Sequence, residues 1–271
     1  MRFGIIGTGM VGRTIADKLV ALGHEVTLGS RTKDNETGLA WAEQAGPTGH
    51  AGTFADAAAF GEVVLNATSG TVSLAALRAA GAERLAGKLL VDISNPLVFS
   101  AEGEVSLDPV NTDSVGEQIQ REFPDAKVVK ALNTVTAPLM VEPGRLEGEH
   151  NLFIAGNDAG AKADAVALLG EFGWPAESVI DLGDISGARG MEMLMPFWLR
   201  LMRSFGTAEF NYSIRRARTR TASPPGRLRL GGLGPAHAGR AVQRAQCSSC
   251  TPCRRARRRR GCRWPCTVPS G

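Results

Sequence analysis

Apolar runs of strand length alternate with helix-length amphipathic stretches through most of the chain. Residues 2–6 are an apolar run, and 10–22 carry apolar residues at helical spacing, closed by Gly23 as a glycine commonly closes a helix. The alternation continues with a strand "EVTLG" (25–29), a helix around 37–45 and a short strand near "TGHAG" (48–52). Next come a helix "TFADAAAF" (53–60) capped by Thr53, a strand "EVVLNAT" (62–68), a helix "SLAALRAAGAERL" (73–85) and a strand "KLLVDIS" (88–94). Further on, 114–123 reads as helix, "AKVVKAL" (126–132) as strand, 139–148 as loop and "NLFIAGN" (151–157) as strand. A helix over 159–173, a strand "SVIDLG" (178–183) and a closing helix over 187–206, kinked or interrupted at Pro196, complete the pattern.

Strands that are continuous apolar runs, each followed by a helix, belong to sheets buried on both faces. The expected fold is α/β: a Rossmann-type doubly wound, mostly parallel sheet in a single domain over residues 1–213. Residues 214–271 are a different material. They hold 15 Arg and no Lys, Asp or Glu, so the preceding residues keep 31 − 15 = 16 basic and all 27 acidic side chains. The body is therefore near −11 and the tail near +15. The basic balance of the whole chain belongs to the tail and does not mark the body as binding nucleic acid or a membrane.

The chemistry begins at "IIGTGMVG" (5–12), where Gly7, Gly9 and Gly12 form G-x-G-x-x-G between a strand and a helix. In this motif the first glycine makes the tight turn, the second admits a pyrophosphate and the third allows close helix–strand packing. The pyrophosphate then rests on the helix N-terminus, beside Thr8, Met10 and Val11. At the end of the second strand an NAD site places an acid for the ribose 2′-hydroxyl. This chain has Ser30 and Arg31 there, with Lys33 close behind. A carboxylate would repel a 2′-phosphate, whereas a guanidinium fork matches one. The expected cofactor is NADP(H). Three further segments fall at strand ends facing the ligand crevice: "NATSG" with Ala67, Thr68 and Ser69, "SNPL" with Asn95 and Pro96, and "ALNTVTA" with Asn133 and Ala137. They are candidates to line the nicotinamide half, although Asn, Ser, Gly and Pro are also ordinary turn residues.

The body contains no cysteine and only His24, His50 and His150, none at metal-like spacing, so thiol and metal chemistry are not expected of it. No catalytic acid or base stands out, and hydride transfer between two bound rings needs none. Met1 runs straight into a strand and no apolar stretch reaches the length of a membrane span, so a cytoplasmic location without membrane attachment is expected.

The segments "GIIGTGMVG", "GHEVTLGSR", "GKLLVDISNPL" and "GEQIQREFPDAKVVKALNT", followed by "FIAGND" and "ARGMEM", resemble the NADPH-dependent coenzyme F420 reductases, or F420-dependent NADP oxidoreductases. The likeness runs from Met1 to about Tyr212. It implies hydride transfer between NADP(H) and the deazaflavin coenzyme F420 as a small-molecule co-substrate, in a Rossmann domain that forms a homodimer. It also implies NADP contacts at Thr8 to Gly12, Ser30, Arg31 and Lys33, with the final helix closing over the three turn segments. One departure lies after the fourth strand, where family members often carry a Pro-Trp pair and this chain has Ser69 and Gly70. Another acceptor (a flavin, a quinone or an imine) is therefore the rival enzyme reading, and an NADP(H) sensor without turnover the rival outside the enzymes. The stripe Met191, Met193, Met195, Phe197 and Trp198 reads first as core or dimer interface and second as a cover for a planar cofactor.

Of the last 58 residues, 40 are Arg, Ala, Gly, Pro or Cys, and all five cysteines lie there. A segment that buries so little apolar surface is expected to stay disordered. Its C-x2-C-x2-C spacing at Cys247, Cys250 and Cys253 invites a metal, and its arginines invite nucleic acid. Its composition is also what GC-rich codons give out of frame, which explains it best, so nucleic acid is not an expected partner.

Overall fold

Alternate residues of each strand feed opposite faces of one sheet, and this divides the apolar core in two. A computed structural model describes residues 1–102 and 104–217. The metal, nucleic-acid and out-of-frame readings of the tail lie outside the described residues. The strands and helices, in chain order, are β1 Arg2–Ile6, α1 Met10–Ala21, β2 Glu25–Ser30, α2 Glu36–Ala45, β3 Gly49–Thr53, α3 Phe54–Phe60, β4 Val63–Asn66, α4 Gly70–Ala80, α5 Ala82–Leu85 and β5 Leu89–Asp92. They continue with β6 Leu97–Phe99, β7 Val105–Leu107, α6 Val115–Glu122, β8 Lys127–Ala131, α7 Ala137–Val141, β9 Leu152–Gly156, α8 Ala159–Glu171, β10 Val179–Asp181, α9 Ala188–Met193 and α10 Met195–Phe205.

Eight strands make the main sheet in the order β10-β9-β8-β5-β4-β1-β2-β3. Every pairing in it is parallel except β8 with β9. The winding reverses between β1 and β4, and the crevice outside the carboxyl ends of the strands at that reversal is where such sheets bind ligands. Phe3, Ile5, Leu65 and Val91 face α1, α2, α7 and α8, while Ile6, Val64, Leu90 and Val128 face α3 to α6. A smaller cluster of Phe153, Ala155 and Met191 seats α9. The fold class is therefore as expected: Rossmann-type, doubly wound and mostly parallel.

Local chemistry explains the departures. The expected helix over 73–85 begins earlier and breaks at Gly81, whose φ of +95° suits glycine. Residues 139–148, expected as loop, contain the end of α7 and a 3-10 turn at Pro143–Arg145. Pro138 occupies the first turn of α7, where a missing N–H costs no bond. The antiparallel hairpin of β6 and β7 has no counterpart in the sequence reading. Among the described residues no helix is long and apolar enough to cross a membrane.

Candidate functional site

The turn from β1 into α1 gives each glycine a separate reason. Gly7 has φ +121°, and a Cβ there would lie 2.9 Å from the Ala67 carbonyl oxygen. A Cβ on Gly12 would lie 2.4 Å from the Gly7 carbonyl oxygen, so the helix packs on the turn only with a bare Cα. Gly9 is exposed, and a Cβ there would meet nothing within 4 Å. It caps α1 without a side-chain acceptor, and the first turn carries no acid. The result is an open cradle of backbone N–H groups at the positive end of a twelve-residue helix, fitted to a pyrophosphate.

At the tip of β2, buried Ser30 donates its hydroxyl hydrogen to the Thr32 carbonyl and so shapes the turn. Arg31 is exposed, lines the cavity beside it and pairs with no carboxylate among the described residues. Lys33 lies 3.8 Å from Asp56, so it is partly turned from the position the sequence reading gave it. The Thr53 N–H and hydroxyl, with Lys33 adding to them, hold the Asp56 carboxyl below the ordinary range. Beside Arg31 opens an apolar cavity of about 620 Å3 between Phe54 of α3 and Val72, Ala75 and Ala79 of α4. The sequence reading missed this slot; its signal was Val72, Ala75 and Ala79, small apolar residues left on the exposed side of α4.

A second cavity of about 410 Å3 adjoins the first at Thr68, which borders both. Its walls bring together Met10 and Val11, Ala67 to Ser69, Ser94 and Asn95, Asn133 with Val135 to Ala137, and Met195 and Trp198. Five segments distant in sequence thus converge, four of them as their strand-end positions imply. Pro96 is buried outside this lining, its carbonyl taken by the Asp108 N–H, and Leu97 and Phe99 of the hairpin line the cavity in its place. Gly70 is also explained: a Cβ there would stand 2.4 Å from the Asn95 carbonyl oxygen, so the β4 and β5 turns meet too closely for any side chain.

Asn95 and Asn133 clasp across the strand ends. The Asn95 amide donates to the Asn133 carbonyl at 2.8 Å, and the Asn133 amide donates to Asn95 Oδ1 at 2.9 Å and to the Met191 carbonyl at 3.1 Å. Leu132, just before, takes φ +63°, a left-handed conformation costly for leucine that turns Asn133 into the clasp. Asn133 Oδ1 and Trp198 Nε1 are buried without partners.

Behind the cavity runs a row of polar side chains whose charged members, Asp92, Lys130 and Glu192, were absent from the sequence reading. Asn66, Asp92 and Lys130 are register partners across β4, β5 and β8. Asp92 accepts from Asn66 Nδ2 at 2.8 Å, from the Ser94 hydroxyl at 2.8 Å and from Lys130 at 2.7 Å. Burial pushes the Lys130 ammonium down, and the Asp92 and Glu192 carboxylates more than offset it, leaving it above the ordinary lysine range. The charged letters inside "LLVDIS" and "KVVKAL" were the available signal. Among the described residues no acidic or basic side chain lines the second cavity. His24, paired with Glu171 at 2.7 Å, and His150, packed on Trp174, both lie outside its lining.

Comparison with known proteins agrees with this arrangement. Residues 2–96 match the family described as "NADP oxidoreductase coenzyme F420-dependent". A crystal structure from Arthrobacter sp. FB24, provisionally named an F420-dependent NADP reductase, is 55% identical. It covers 80% of this chain and 100% of its own, with TM-score 0.75. An imine reductase from Streptomyces aurantiacus, 20% identical over 76% of this chain and 64% of its own with TM-score 0.54, shares the fold. The rat metalloreductase STEAP3 is 31% identical over 73% of this chain, and human STEAP2 26% over 70%. The chain spans only 38% and 35% of the length of those two relatives.

Proposed function

Because the chain belongs to the F420-dependent NADP oxidoreductase family and is an NAD(P)-dependent oxidoreductase, we propose that it moves a hydride between NADPH and coenzyme F420 in the crevice above β1 and β4. In this reading the Gly9 cradle holds the pyrophosphate, Arg31 meets the 2′-phosphate, and the slot between α3 and α4 takes the adenine. The second cavity takes the nicotinamide, with Ala67, Thr68, Asn95, Asn133 and Ala137 around it. Bound there, NADPH supplies a hydride from its nicotinamide ring.

One observation carries the choice of reaction: among the described residues, the lining of the second cavity includes no acidic or basic side chain. Such a site has no side-chain acid or base to offer. What it offers is orientation and apolar walls: Ile93, Val135, Met140 and Met195 line it, and the clasped amides fix the turns. Holding two rings in reacting geometry is worth about 7–11 kcal/mol of barrier, enough to serve as the main device. A deazaflavin accepts hydride at carbon and fits this environment. An imine, whose nitrogen needs a proton to accept hydride readily, would find no side-chain acid.

A homodimer through the exposed Phe197 and Phe205 of α10 and a cytoplasmic location belong to the same proposal. NADPH deuterated at either nicotinamide C4 position, turned over with oxidised F420, tests the chemistry. Deuterium appearing in the reduced deazaflavin from one of the two labelled forms is expected; deuterium lost to water from both would reject direct transfer.

A further inference from the structure

The Lys130 side chain is wholly buried, and the hydride transfer proposed above uses neither it nor its partners. Its ammonium reaches Asp92 Oδ2 at 2.7 Å, the Ser94 carbonyl at 2.5 Å and Glu192 Oε1 at 2.8 Å. Glu192 also accepts the Val115 and Gly116 N–H groups at 2.9 and 3.1 Å, at the N-terminus of α6. From Asp92 the chain of bonds passes to Asn66 and on to Thr68, whose hydroxyl donates to Asn66 Oδ1 at 2.7 Å. Both outlets of this row touch the second cavity. Thr68 and Ser94 line it, and Glu192 stands three residues before Met195, which lines it too.

Elsewhere the wall on the Glu192 side is held by the Asn133 amide at the Met191 carbonyl and by Arg189 at Glu117, whose guanidinium is partly exposed. The apolar seat of α9 is small, and α10 leaves Phe197 and Phe205 exposed. Where the walls face each other, Trp198 Nε1 and Asn133 Oδ1 lack partners, and the Asn133 amide bond to the Met191 carbonyl joins the two neutral groups. The root, where Glu192 meets Lys130 and the α6 N-terminus, is the anchor whose charges are buried, and it holds the α9 end from which Met195 and Trp198 follow.

We propose that Lys130 and Glu192 are positioning residues: their buried ion pair fixes the α9–α10 wall against the ends of β5 and β8 and so determines which acceptor ring the cavity admits. The proposal rests on the acceptor occupying that cavity. It predicts that weakening the root alters acceptor binding far more than NADPH binding, because the pyrophosphate and 2′-phosphate contacts at Gly9 and Arg31 hang from other strand ends.

The test uses the full chain with Glu192→Gln, which keeps the side-chain shape, and Lys130→Met, which removes the ammonium; the first remains informative if the second fails to fold. KM for F420 is expected to rise about tenfold in Glu192→Gln while KM for NADPH changes less than about twofold, a size typical of residues coupled through one ion-pair network. Amide hydrogen exchange over residues 188–205 should quicken about tenfold, with residues 10–21 unchanged. A merely structural role would lower Tm and kcat and leave both KM values as they were, and that result overturns the proposal. Should the wild-type protein fail to reduce F420, the proposed reaction falls by itself. The exchange experiment then decides: quickening confined to 188–205 supports the positioning role, and quickening spread over the sheet, or none, refutes it.

Discussion

Gly9 and Gly12 answer to different demands, and substitution separates them. Gly9 has φ −71°, which any residue adopts, and open space beside it. Gly9→Ala should leave stability within about 0.5 kcal/mol, as for most surface changes, and weaken NADPH binding by about tenfold or more. Gly12→Ala drives a methyl into the Gly7 carbonyl and should cost about 1–3 kcal/mol, as overpacking does. Thermal melts and NADPH titrations of the two variants check the pair. Arg31→Asp belongs to the same scale. Losing a charge-assisted bond to the 2′-phosphate should weaken NADPH binding by about 10–100-fold while NADH changes little. Equal losses for both nucleotides would contradict the phosphate assignment. These residues were legible because a glycine spacing and a missing acid are written in local sequence. Lys130, Asp92 and Glu192 were not, since only the parallel register brings Asp92 beside Lys130, and only the return of α9 brings Glu192 over them.

At the scale of elements, the caps behave as their letters promise. Thr53 and Asp56 exchange hydrogen bonds as a full capping box at the start of α3, and Thr53→Ala should cost about 1 kcal/mol of stability. The start of α6 carries a pH signature. Asp113 is held down to about 2 chiefly by hydrogen bonds from Arg121, against the opposing effect of burial and with Gln118 and the Ser114 N–H assisting. A carboxyl held below its unfolded value of about 3.9 contributes stability that is complete above that pH and is lost as the pH falls through about 2. Melts of wild type and Arg121→Ala should therefore differ fully at about pH 5 and converge as the pH drops from about 4 to about 2. A difference that stays constant down the acid limb would dismiss the pair as a source of stability. The elements themselves were read well where apolar periodicity ran long, as in α1 and α8. They were missed where three-residue strands allow no alternation, as in β6 and β7, and where Pro138 and Pro143 made α7 look like loop.

For the whole molecule, the doubly wound order follows from strand–helix alternation, yet the direction of β9 does not. Its residues Leu152 to Gly156 are buried throughout, and a strand covered on both faces looks the same in sequence whether parallel or antiparallel. Convergence of the five wall segments was legible, because each follows the carboxyl end of a strand or belongs to the last helix of the body. The small-residue slot beside α4 and the polar root of α9 depend on packing between distant elements, which no local pattern records.

The central claim is that this crevice joins NADPH to a deazaflavin without a side-chain acid. Mixing the full chain with NADPH and oxidised coenzyme F420, and following the deazaflavin's visible absorbance, tests it most directly, with NADH and free flavin as parallel controls. Rapid bleaching with NADPH, and little with NADH or with free flavin as acceptor, is the predicted result. Tight NADPH binding with no bleaching would contradict it, leaving the nucleotide half of the site intact and the acceptor wrongly identified.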